Sequence, residues 1–386
     1  MEQHREEVFV YIQNSKMKLG LLTFHNAANY GASLQAYALQ KFLADKGYDC
    51  EYINYVNVSR GHEYSMTWHI FDSLRHGKLA SAAAYMAGSP FLTLRKVRFN
   101  KFYSHYLKKT EKVYHTSDEV AELNGKYNRF IVGSDQVWNP ACNGDDAAFL
   151  LDFVKNNRER ISYSSSFGVA KIDDKHRDVF KANLSAFHAL AVRESIGRDL
   201  IKELTGRDAQ VVLDPVMLLT KEQWMQLVPD KQKNERFIFS YTNRDSQITD
   251  FFKTGYKLEY RKHYILSRYT RPQDFISPTS RVKYCMSPQE FVSVIANADL
   301  VVSASFHCLA MSIILNRPFV AILTGDKGKD ERPLNILRAL NLEDRILNPS
   351  MTVAEVNAPI DWNSVNKKIE ELKASSVAYL DKAINE

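Results

Sequence analysis

The sequence has 386 residues, of which 45% are hydrophobic and 25% are charged, as in an ordinary soluble globular protein. This composition excludes collagen-like, disordered and fibrous repeat proteins, and the length predicts two domains of roughly 150–200 residues each. The net charge is +6, from 51 basic and 45 acidic residues.

The positive charge is concentrated in one segment, residues 60–112. This segment holds ten Lys or Arg and three acidic residues, so it alone carries +7 and the rest of the chain carries −1. A basic stretch in an otherwise neutral chain favours a local contact with an anion over a general affinity for nucleic acid, so we expect no nucleic-acid partner. A solvated helical insertion without any partner would have the same composition.

The cysteines and the N-terminus give no sign of a secreted or metal-binding protein. Cys50, Cys142, Cys285 and Cys308 lie far apart and form no CxxC motif, so we expect neither a zinc site nor a disulfide framework. Residues 1–16 lack the features of a secretory signal, and we expect them to be a leader outside the fold. No run of apolar residues reaches the ~18 needed to span a membrane. A cytoplasmic location follows as the simplest expectation.

In chain order, the first predicted unit is a strand at 18–24, a helix from Leu34 to Gly47 and a strand at 51–55, and such units pair their strands in parallel. Further strands are predicted at 129–133, 160–165, 191–193, 210–213, 236–241, 262–266, 300–303 and 318–323. Further helices are predicted at 195–204, 287–296 and 364–384. The pattern predicts an α/β protein with two doubly wound, Rossmann-like domains, whose ligands bind beyond the carboxyl ends of the strands.

We place an N-terminal domain at 17–188, a C-terminal domain at 189–360 and a final helix at 361–386 that we expect to cross back to the first domain. The basic segment interrupts the first domain and is predicted to form a helical insertion at about 57–125.

Two polar loops follow predicted strands of the first domain. Residues 133–139 (GSDQVWN) carry hydrogen-bonding side chains that suit a hydroxyl-rich ligand, although Asp135 and Asn139 could instead cap a following helix. Residues 164–168 (SSSFG) form the other loop, for which a tight turn with self-bonded hydroxyls is an equal alternative.

His307 is the sharpest local feature, because it lies between an apolar strand and a helix, where backbone N–H groups attract anions. A histidine there can also move protons. Its neighbour Cys308 is better interpreted as a buried thiol than as a nucleophile. Cations that could grip a carboxylate or phosphate follow strands of the second domain: Arg193, Arg244, Lys327, Lys329 and Arg332. No G-x-G-x-x-G or Walker motif is present.

Six motifs occur together in an order that resembles the polysaccharide pyruvyl transferase family. They are TFHNAANYGASLQAYALQKFL, FIVGSDQVWN, ISYSSSFG, AVRES, VVLDPVMLL and SASFHCLAMSIILNRPFVAI, and they extend over about residues 17–345. The resemblance implies a fold similar to GT-B glycosyltransferases and phosphoenolpyruvate as the donor. It also implies a sugar of a surface polysaccharide, such as an exopolysaccharide or capsule, or of its lipid-linked precursor, as the acceptor, and a pyruvate ketal as the product. No cofactor or metal is expected.

The resemblance assigns His307 as the acid/base and Arg193 as a donor-binding residue. Ser305 stands where the family's characterised members have an arginine, so a second donor-binding cation is expected from Lys329 or Arg332, with Ser305 itself also near the donor. Position alone suggests His25, Asp135 and Asn139 for the acceptor. If the acceptor is lipid-linked, residues 60–112 are expected to contact anionic lipid, and the protein to be peripheral at the inner face of the membrane.

Two other functions are compatible with the sequence. A nucleotide-sugar glycosyltransferase on the same fold would need a carboxylate for the ribose, for which Glu290 and Asp326 are candidates. The missing arginine at Ser305 leaves room for a non-catalytic member of a polysaccharide-synthesis complex.

Overall fold

The protein contains two α/β domains built on parallel sheets, in a computed structural model that describes residues 17–57, 66–144, 146–228, 235–242, 245–258, 261–267 and 278–386. The predicted leader 1–16, residues 58–65 of the predicted insertion, and Arg244 lie outside these described residues. Within the described part of the chain, no helix is both long and apolar enough to cross a membrane.

The first sheet has the strand order β2-β1-β3-β4, and each neighbouring pair is parallel. Its strands are β1 (Lys18–Leu22), β2 (Asp49–Tyr52), β3 (Arg129–Val132) and β4 (Arg160–Ser162). The residues of β1 and β3 are almost all buried, as expected for parallel strands that are covered on both faces.

Two short strands extend this sheet. β5 (Ala191–Val192) pairs in parallel with β6 (Gln210–Val211), and bridges from Ile161 to Ala189 and from Ser165 to Val192 join β5 to the β4 side. Residues 189–211 therefore lie beside the first sheet, whereas the sequence placed the start of the second domain at residue 189. The sequence does not reveal this pairing because β5 has only two residues, too few to show a periodic pattern. In addition, its partner β4 lies about 30 residues earlier in the chain.

The second sheet has the strand order β9-β8-β7-β10-β11, also with parallel pairs. Its strands are β7 (Phe237–Thr242), β8 (Lys262–Ser267), β9 (Ser280–Val282), β10 (Leu300–Ser303) and β11 (Phe319–Ala321). The strand order reverses beside β7 here and beside β1 in the first sheet. Such reversals are where doubly wound sheets bind ligands, at the carboxyl ends of the strands.

The helices cover both sheets. They are α1 (Tyr30–Asp45), α2 (Met66–Arg75), α3 (Leu79–Tyr106), α4 (Ser117–Val120), α5 (Pro140–Asn143), α6 (Asp174–Ser185), α7 (Ser195–Thr205), α8 (Lys221–Met225), α9 (Asp245–Phe252), α10 (Pro288–Asn297), α11 (Phe306–Ile314), α12 (Lys327–Leu340), α13 (Val353–Asn357) and α14 (Trp362–Asn385). The basic insertion is helical and consists mainly of α2 and α3.

Helix α14 contacts the first domain. The Tyr379 hydroxyl donates to the Ser162 carbonyl at 2.8 Å, and the Leu213 N–H donates to Ser376 Oγ at 3.0 Å. Near its end, Asp381 forms an ion pair with Lys46 at 2.7 Å. The last helix therefore holds the end of the chain against the first sheet.

Helix α11 lies where the two domains meet, and all nine of its residues are buried. It packs against α1 and the turn Pro215–Met217 on one side and against α10 and β10 on the other. A helix that is apolar all round is held by packing on every face. Any side chain at its N-terminus is therefore held in a well-defined position between the domains.

Candidate functional site

Polar side chains from the carboxyl ends of five strands meet in one buried group, which we call the cleft cluster: Ser134, Asp135, Arg193, Glu194, Asp214, His307 and Arg332. The first five follow β3, β5 and β6 of the first sheet, while His307 follows β10 and Arg332 lies in α12, after β11. Because the carboxyl ends of both sheets face each other here, side chains far apart in the chain become neighbours.

Asp214 is the centre of the cleft cluster and is 2% exposed. Its Oδ2 accepts hydrogen bonds from Arg193 Nη1 at 2.8 Å and from Ser134 Oγ at 2.9 Å, and lies 3.4 Å from His307 Nε2. Its Oδ1 accepts from the backbone N–H of Val216 at 3.1 Å. Burial alone would raise the pKa of Asp214, but His307 and Arg193 hold it well below its usual range. The carboxylate is therefore a permanent negative charge.

Arg193 is surrounded by three carboxylates. Its Nη1 is bonded to Asp214, while Nη2 lies 3.7 Å from Asp135 Oδ1 and Nε lies 3.7 Å from Glu194 Oε2. The guanidinium also lies 4.9 Å from the centre of the Phe306 ring. Neither Nε nor Nη2 has a hydrogen bond within the described part of the chain. Burial lowers the pKa of Arg193, but the three carboxylates outweigh burial and raise it overall, so two charged donors remain for another acceptor.

His307 is the second residue of α11, and its ring lies between the two domains. Besides the contact of Nε2 with Asp214, the Nδ1 side of the ring lies directly against Gly31 in the first turn of α1. A Cβ atom on Gly31 would come within 2.1 Å of Nδ1. His307 is 8% exposed, and Nε2 has no hydrogen bond among the described residues. The ring is thus held by α1 on one side and faces a carboxylate on the other.

Arg332 brings a second guanidinium to the cleft cluster. Its Nη1 and Nη2 lie 2.9 and 3.0 Å from the side-chain amide of Gln136, and its Nε has no hydrogen-bond partner among the described residues. Burial and the nearby charge of Arg193 lower the pKa of Arg332. Two like charges in a buried place are costly unless anions balance them, and the carboxylates of Asp135, Glu194 and Asp214 supply that balance here.

The structure brings some of the other predicted site residues to the cleft cluster. Asp135 belongs to it, and Asn139 reaches its edge by donating to Gln136 at 2.8 Å while its oxygen caps α5 by accepting from the Ala141 N–H. Ser305 precedes α11, and its side chain makes no capping hydrogen bond to that helix. Its hydroxyl therefore lies at the start of the helix that carries His307.

Three residues discussed from the sequence lie elsewhere or are inaccessible. His25 is fully buried in the first domain, where it lies 3.1 Å from the Thr23 carbonyl and stacks on Tyr52. Lys329 is largely exposed and pairs with Asp326 at 3.1 Å. Burial raises the pKa of the Cys308 thiol to about 12, which fits the interpretation as a buried thiol.

Sequence reasoning gave no role to four residues that the structure places in or against the cleft cluster: Ser134, Glu194, Asp214 and Gly31. Asp214 directly follows the apolar stretch that ends at Leu213, and a carboxylate at a strand end is the signal that could have found it. Glu194 accepts from Ser166 Oγ at 2.6 Å, and burial raises its pKa. Gly31 carries no chemical signal and is visible only through its contact with His307.

The cleft cluster combines a histidine on a carboxylate with two guanidinium groups that retain unused donors. Histidine is the side chain most often used as a general acid or base, and this one lies 3.4 Å from a buried carboxylate. The guanidinium groups can bind carboxylate or phosphate oxygens in the same space. Within the described residues, no group of three or more His, Cys, Asp or Glu side chains could hold a metal ion.

Comparisons with known proteins identify the family and the fold of the chain. A model of the family described as polysaccharide pyruvyl transferase matches residues 29–326. Among solved structures, one from Listeria monocytogenes assigned as a UDP-N-acetylglucosamine 2-epimerase has a TM-score of 0.52 at 9% identity and covers 94% of this chain and 97% of its own. The S. aureus MnaA-UDP structure has a TM-score of 0.51 at 10% identity, with 94% and 91% covered. These likenesses show a GT-B-type fold. No curated protein matches the chain significantly.

Proposed function

Because the chain belongs to the polysaccharide pyruvyl transferase family, we propose that it transfers the enolpyruvyl group of phosphoenolpyruvate to a sugar of a surface polysaccharide or its lipid-linked precursor, forming a pyruvate ketal and releasing phosphate. The observation that carries this proposal is the pairing of His307 with Asp214 beside two guanidinium groups. That combination provides one proton carrier and two anion-binding groups, which is what a donor with a carboxylate, a phosphate and a basic methylene carbon requires.

The reaction needs one proton to move onto carbon. Protonation of the donor's methylene gives an oxocarbenium-like centre at C2, to which one sugar hydroxyl adds. The C2–O bond to phosphate then breaks, and a second hydroxyl adds to close the ketal. The two sugar hydroxyls together lose two protons. One is equivalent to the proton that was added to the methylene carbon, and the other ends on the released phosphate. No oxidant, reductant or metal enters this balance.

Each role falls to a group in or beside the cleft cluster. His307 is the acid that delivers the proton, and Asp214, 3.4 Å from Nε2, orients its ring. Arg193 and Arg332 hold the donor's carboxylate and phosphate, with Arg332 supplying the cation absent at Ser305, while Ser305 lies at the start of α11 beside the phosphate. Asp135, which lies 3.7 Å from Arg193, and Asn139, which donates to Gln136, are the groups that we assign to the sugar hydroxyls.

The nucleotide-sugar alternative is less well supported by the structure. Glu290 caps α10 through the Ser287 N–H at 2.7 Å and pairs with Arg98 at 2.8 Å. Asp326 caps α12 and pairs with Lys329. Both carboxylates that could bind a ribose are therefore already engaged within the protein.

The proposal is tested by measuring phosphate release from phosphoenolpyruvate with and without a panel of galactosides and mannosides. We expect release only when a suitable sugar is present. A parallel thermal-shift measurement with uridine and guanosine sugars distinguishes the alternative: stabilisation by one of these, with no effect of phosphoenolpyruvate, would contradict the proposal. Binding of a glycan alone, without phosphate release, would favour the non-catalytic role.

His307→Ala provides the mechanistic check, with His115→Ala at an exposed position as the matched control. We expect the His307 variant to lose at least ~100-fold in turnover, the usual scale of general acid help, and to keep its thermal midpoint. The control should behave as wild type. Near-normal turnover of His307→Ala would remove it from the acid role.

A further inference from the structure

The hairpin formed by α2 and α3 carries most of the exposed apolar surface. Of the eleven large hydrophobic side chains that are exposed among the described residues, eight lie between Trp68 and Val97. Phe71 is 71% exposed and Leu79 is 69% exposed. Single exposed apolar residues are normal, but a concentration of this kind on one element marks an interaction surface.

Six of the exposed residues of α3 form a continuous line, which we call the apolar stripe: Leu79, Ala83, Met86, Pro90, Leu94 and Val97. Their spacing of three or four residues places them on one face of the helix, and the stripe is about 27 Å long. Every residue of the stripe is exposed. An amphipathic helix normally packs such a face against the core, whereas no element among the described residues covers this face.

Packing within the protein uses other faces of α3. In its second half, Phe99, Phe102 and Tyr103 are buried in the core beside α1. In its first half, Ala82 is buried, as is Ser73 of α2, which packs against α3. The apolar stripe is therefore not what holds the hairpin together or anchors it to the first domain.

The charges of the hairpin are almost all positive. α3 has 28 residues, four of which are Lys or Arg, and none is acidic. At the tip of the hairpin, Arg75 and Lys78 are exposed beside Phe71, Leu74 and Leu79. The tip therefore combines cations with Phe71 and Leu79, the two most exposed of the large apolar side chains in the described residues. This is the composition of helices that lie in a membrane interface and attract anionic lipid.

We infer that the apolar stripe and the hairpin tip dock onto the surface of an anionic lipid bilayer. Charge complementarity decides in favour of this occupant over a second copy of the chain. Two copies facing each other across the stripe would bring together Arg75, Lys78, Lys96 and Lys101 of each, with Asp72 as the one acid within α2 and α3 to balance them. A bilayer instead accepts the apolar side chains and supplies the opposite charge.

Docking here would place the cleft near the membrane. Arg95 of α3 donates to the Ala28 carbonyl at 2.9 Å, and its guanidinium lies 5.0 Å from the Tyr30 ring centre. Tyr30 precedes Gly31, which contacts His307. The helix that carries the apolar stripe thus contacts the segment that leads into the cleft cluster, so an acceptor anchored in the bilayer would have a short path to the site.

The inference is tested by flotation of the full chain with vesicles of phosphatidylcholine alone and of phosphatidylcholine with phosphatidylglycerol. We expect binding that requires phosphatidylglycerol and decreases as salt is raised. Met86→Glu/Leu94→Glu should weaken binding at least ~10-fold, because it adds negative charge and removes apolar surface from the stripe. Arg75→Gln/Lys78→Gln should weaken it by a similar factor. Since vesicle binding needs no turnover, the result is independent of the proposed reaction.

The matched controls change the same residue types elsewhere on the surface. Val113→Glu/Val179→Glu removes two exposed valines and adds the same charge, and Lys155→Gln/Arg158→Gln removes two exposed cations; both should bind vesicles within ~2-fold of wild type, since neither pair lies on the hairpin. Circular dichroism verifies that each variant is folded. Absence of wild-type binding would overturn the inference. So would equal losses in stripe and control variants, or a dimer in light scattering that Met86→Glu/Leu94→Glu dissociates.

Discussion

Asp214 contacts three side chains whose relative positions matter for the proposed chemistry. One oxygen contacts Arg193, Ser134 and His307, so the guanidinium proposed to bind the donor and the histidine proposed to carry the proton share one anchor. A buried carboxylate of this kind is tolerated only when its partners balance its charge. The same carboxylate therefore positions both His307 and Arg193.

The role of His25 can also be tested, because the sequence suggested this residue for acceptor binding whereas the structure shows it fully buried. Burial, with the nearby Lys109, lowers the pKa of His25 from 6.5 to about 4. Between these two pH values His25 is protonated in the unfolded chain but stays neutral in the folded protein. This contribution to stability is full above pH 6.5 and is lost as the pH falls towards 4, and it amounts to about 3 kcal/mol at most.

Urea unfolding of wild type and of His25→Gln at several pH values between about 7.5 and about 4.5 measures this contribution. We expect the free energy of unfolding to fall less steeply in His25→Gln than in wild type as the solution is acidified. His115→Gln, at an exposed position, should keep the wild-type slope. Equal slopes in all three proteins, together with weaker acceptor binding by His25→Gln, would instead favour the acceptor role.

Residue roles were predictable from the sequence only where a local pattern exposes them. His307 follows an apolar strand directly, and this placement alone pointed to it. Arg332 was named among several cations, but its contact with Gln136, almost two hundred residues earlier, has no local signature. Asp214 and His307 meet through the approach of two sheets, which no periodicity encodes.

At the scale of elements, the contact between α1 and α11 sets the position of the histidine ring. Gly31 lies in the first turn of α1, and the absence of a side chain there leaves room for Nδ1 of His307. α11 cannot move away, since all of its residues are buried. The space for the ring is therefore defined by one glycine.

Gly31→Ala should displace His307 without unfolding the protein. The added Cβ would lie 2.1 Å from Nδ1, and a side-chain ring can rotate away at lower cost than a packed helix can shift. Alanine also favours the helix by roughly 0.5–1 kcal/mol, which offsets part of the strain. We expect turnover to fall at least ~10-fold while the thermal midpoint stays close to that of wild type.

Gly197→Ala is the matched control, because it adds the same methyl group near the start of α7, where its closest contact would be an ordinary 3.4 Å to Val192. It should leave turnover unchanged. Wild-type turnover in Gly31→Ala would show that the position of the His307 ring is not set by α1.

Most elements could be predicted from the sequence because each has a pattern of its own. β10 has the predicted bounds, 300–303, because a buried apolar run marks it. α10 and α14 begin and end within two residues of their predicted positions, because amphipathic spacing marks them. β5 was recognised as a strand, but its sheet was not, because two residues cannot show which neighbour they pair with. α6 shows strong polarity and one apolar face, and it was not predicted.

At the scale of the whole molecule, neither domain has the complete set of groups. The first sheet supplies Arg193 and Asp214, whereas His307 and Arg332 follow strands of the second. The proposed reaction would thus depend on both carboxyl edges facing one cleft, as in the GT-B-type fold. None of the seven residues of the cleft cluster belongs to the basic insertion, so we assign the surplus charge to a surface and not to the chemistry.

The proposed pyruvyl transfer can be followed by the movement of a carbon-14 label from the pyruvyl carbons of phosphoenolpyruvate into the acceptor glycan. We predict that wild type moves the label into the glycan in equal amounts with released phosphate, and that His307→Ala loses the two together. Phosphate release without label in the glycan, or labelled product formed equally well by His307→Ala, would contradict the account.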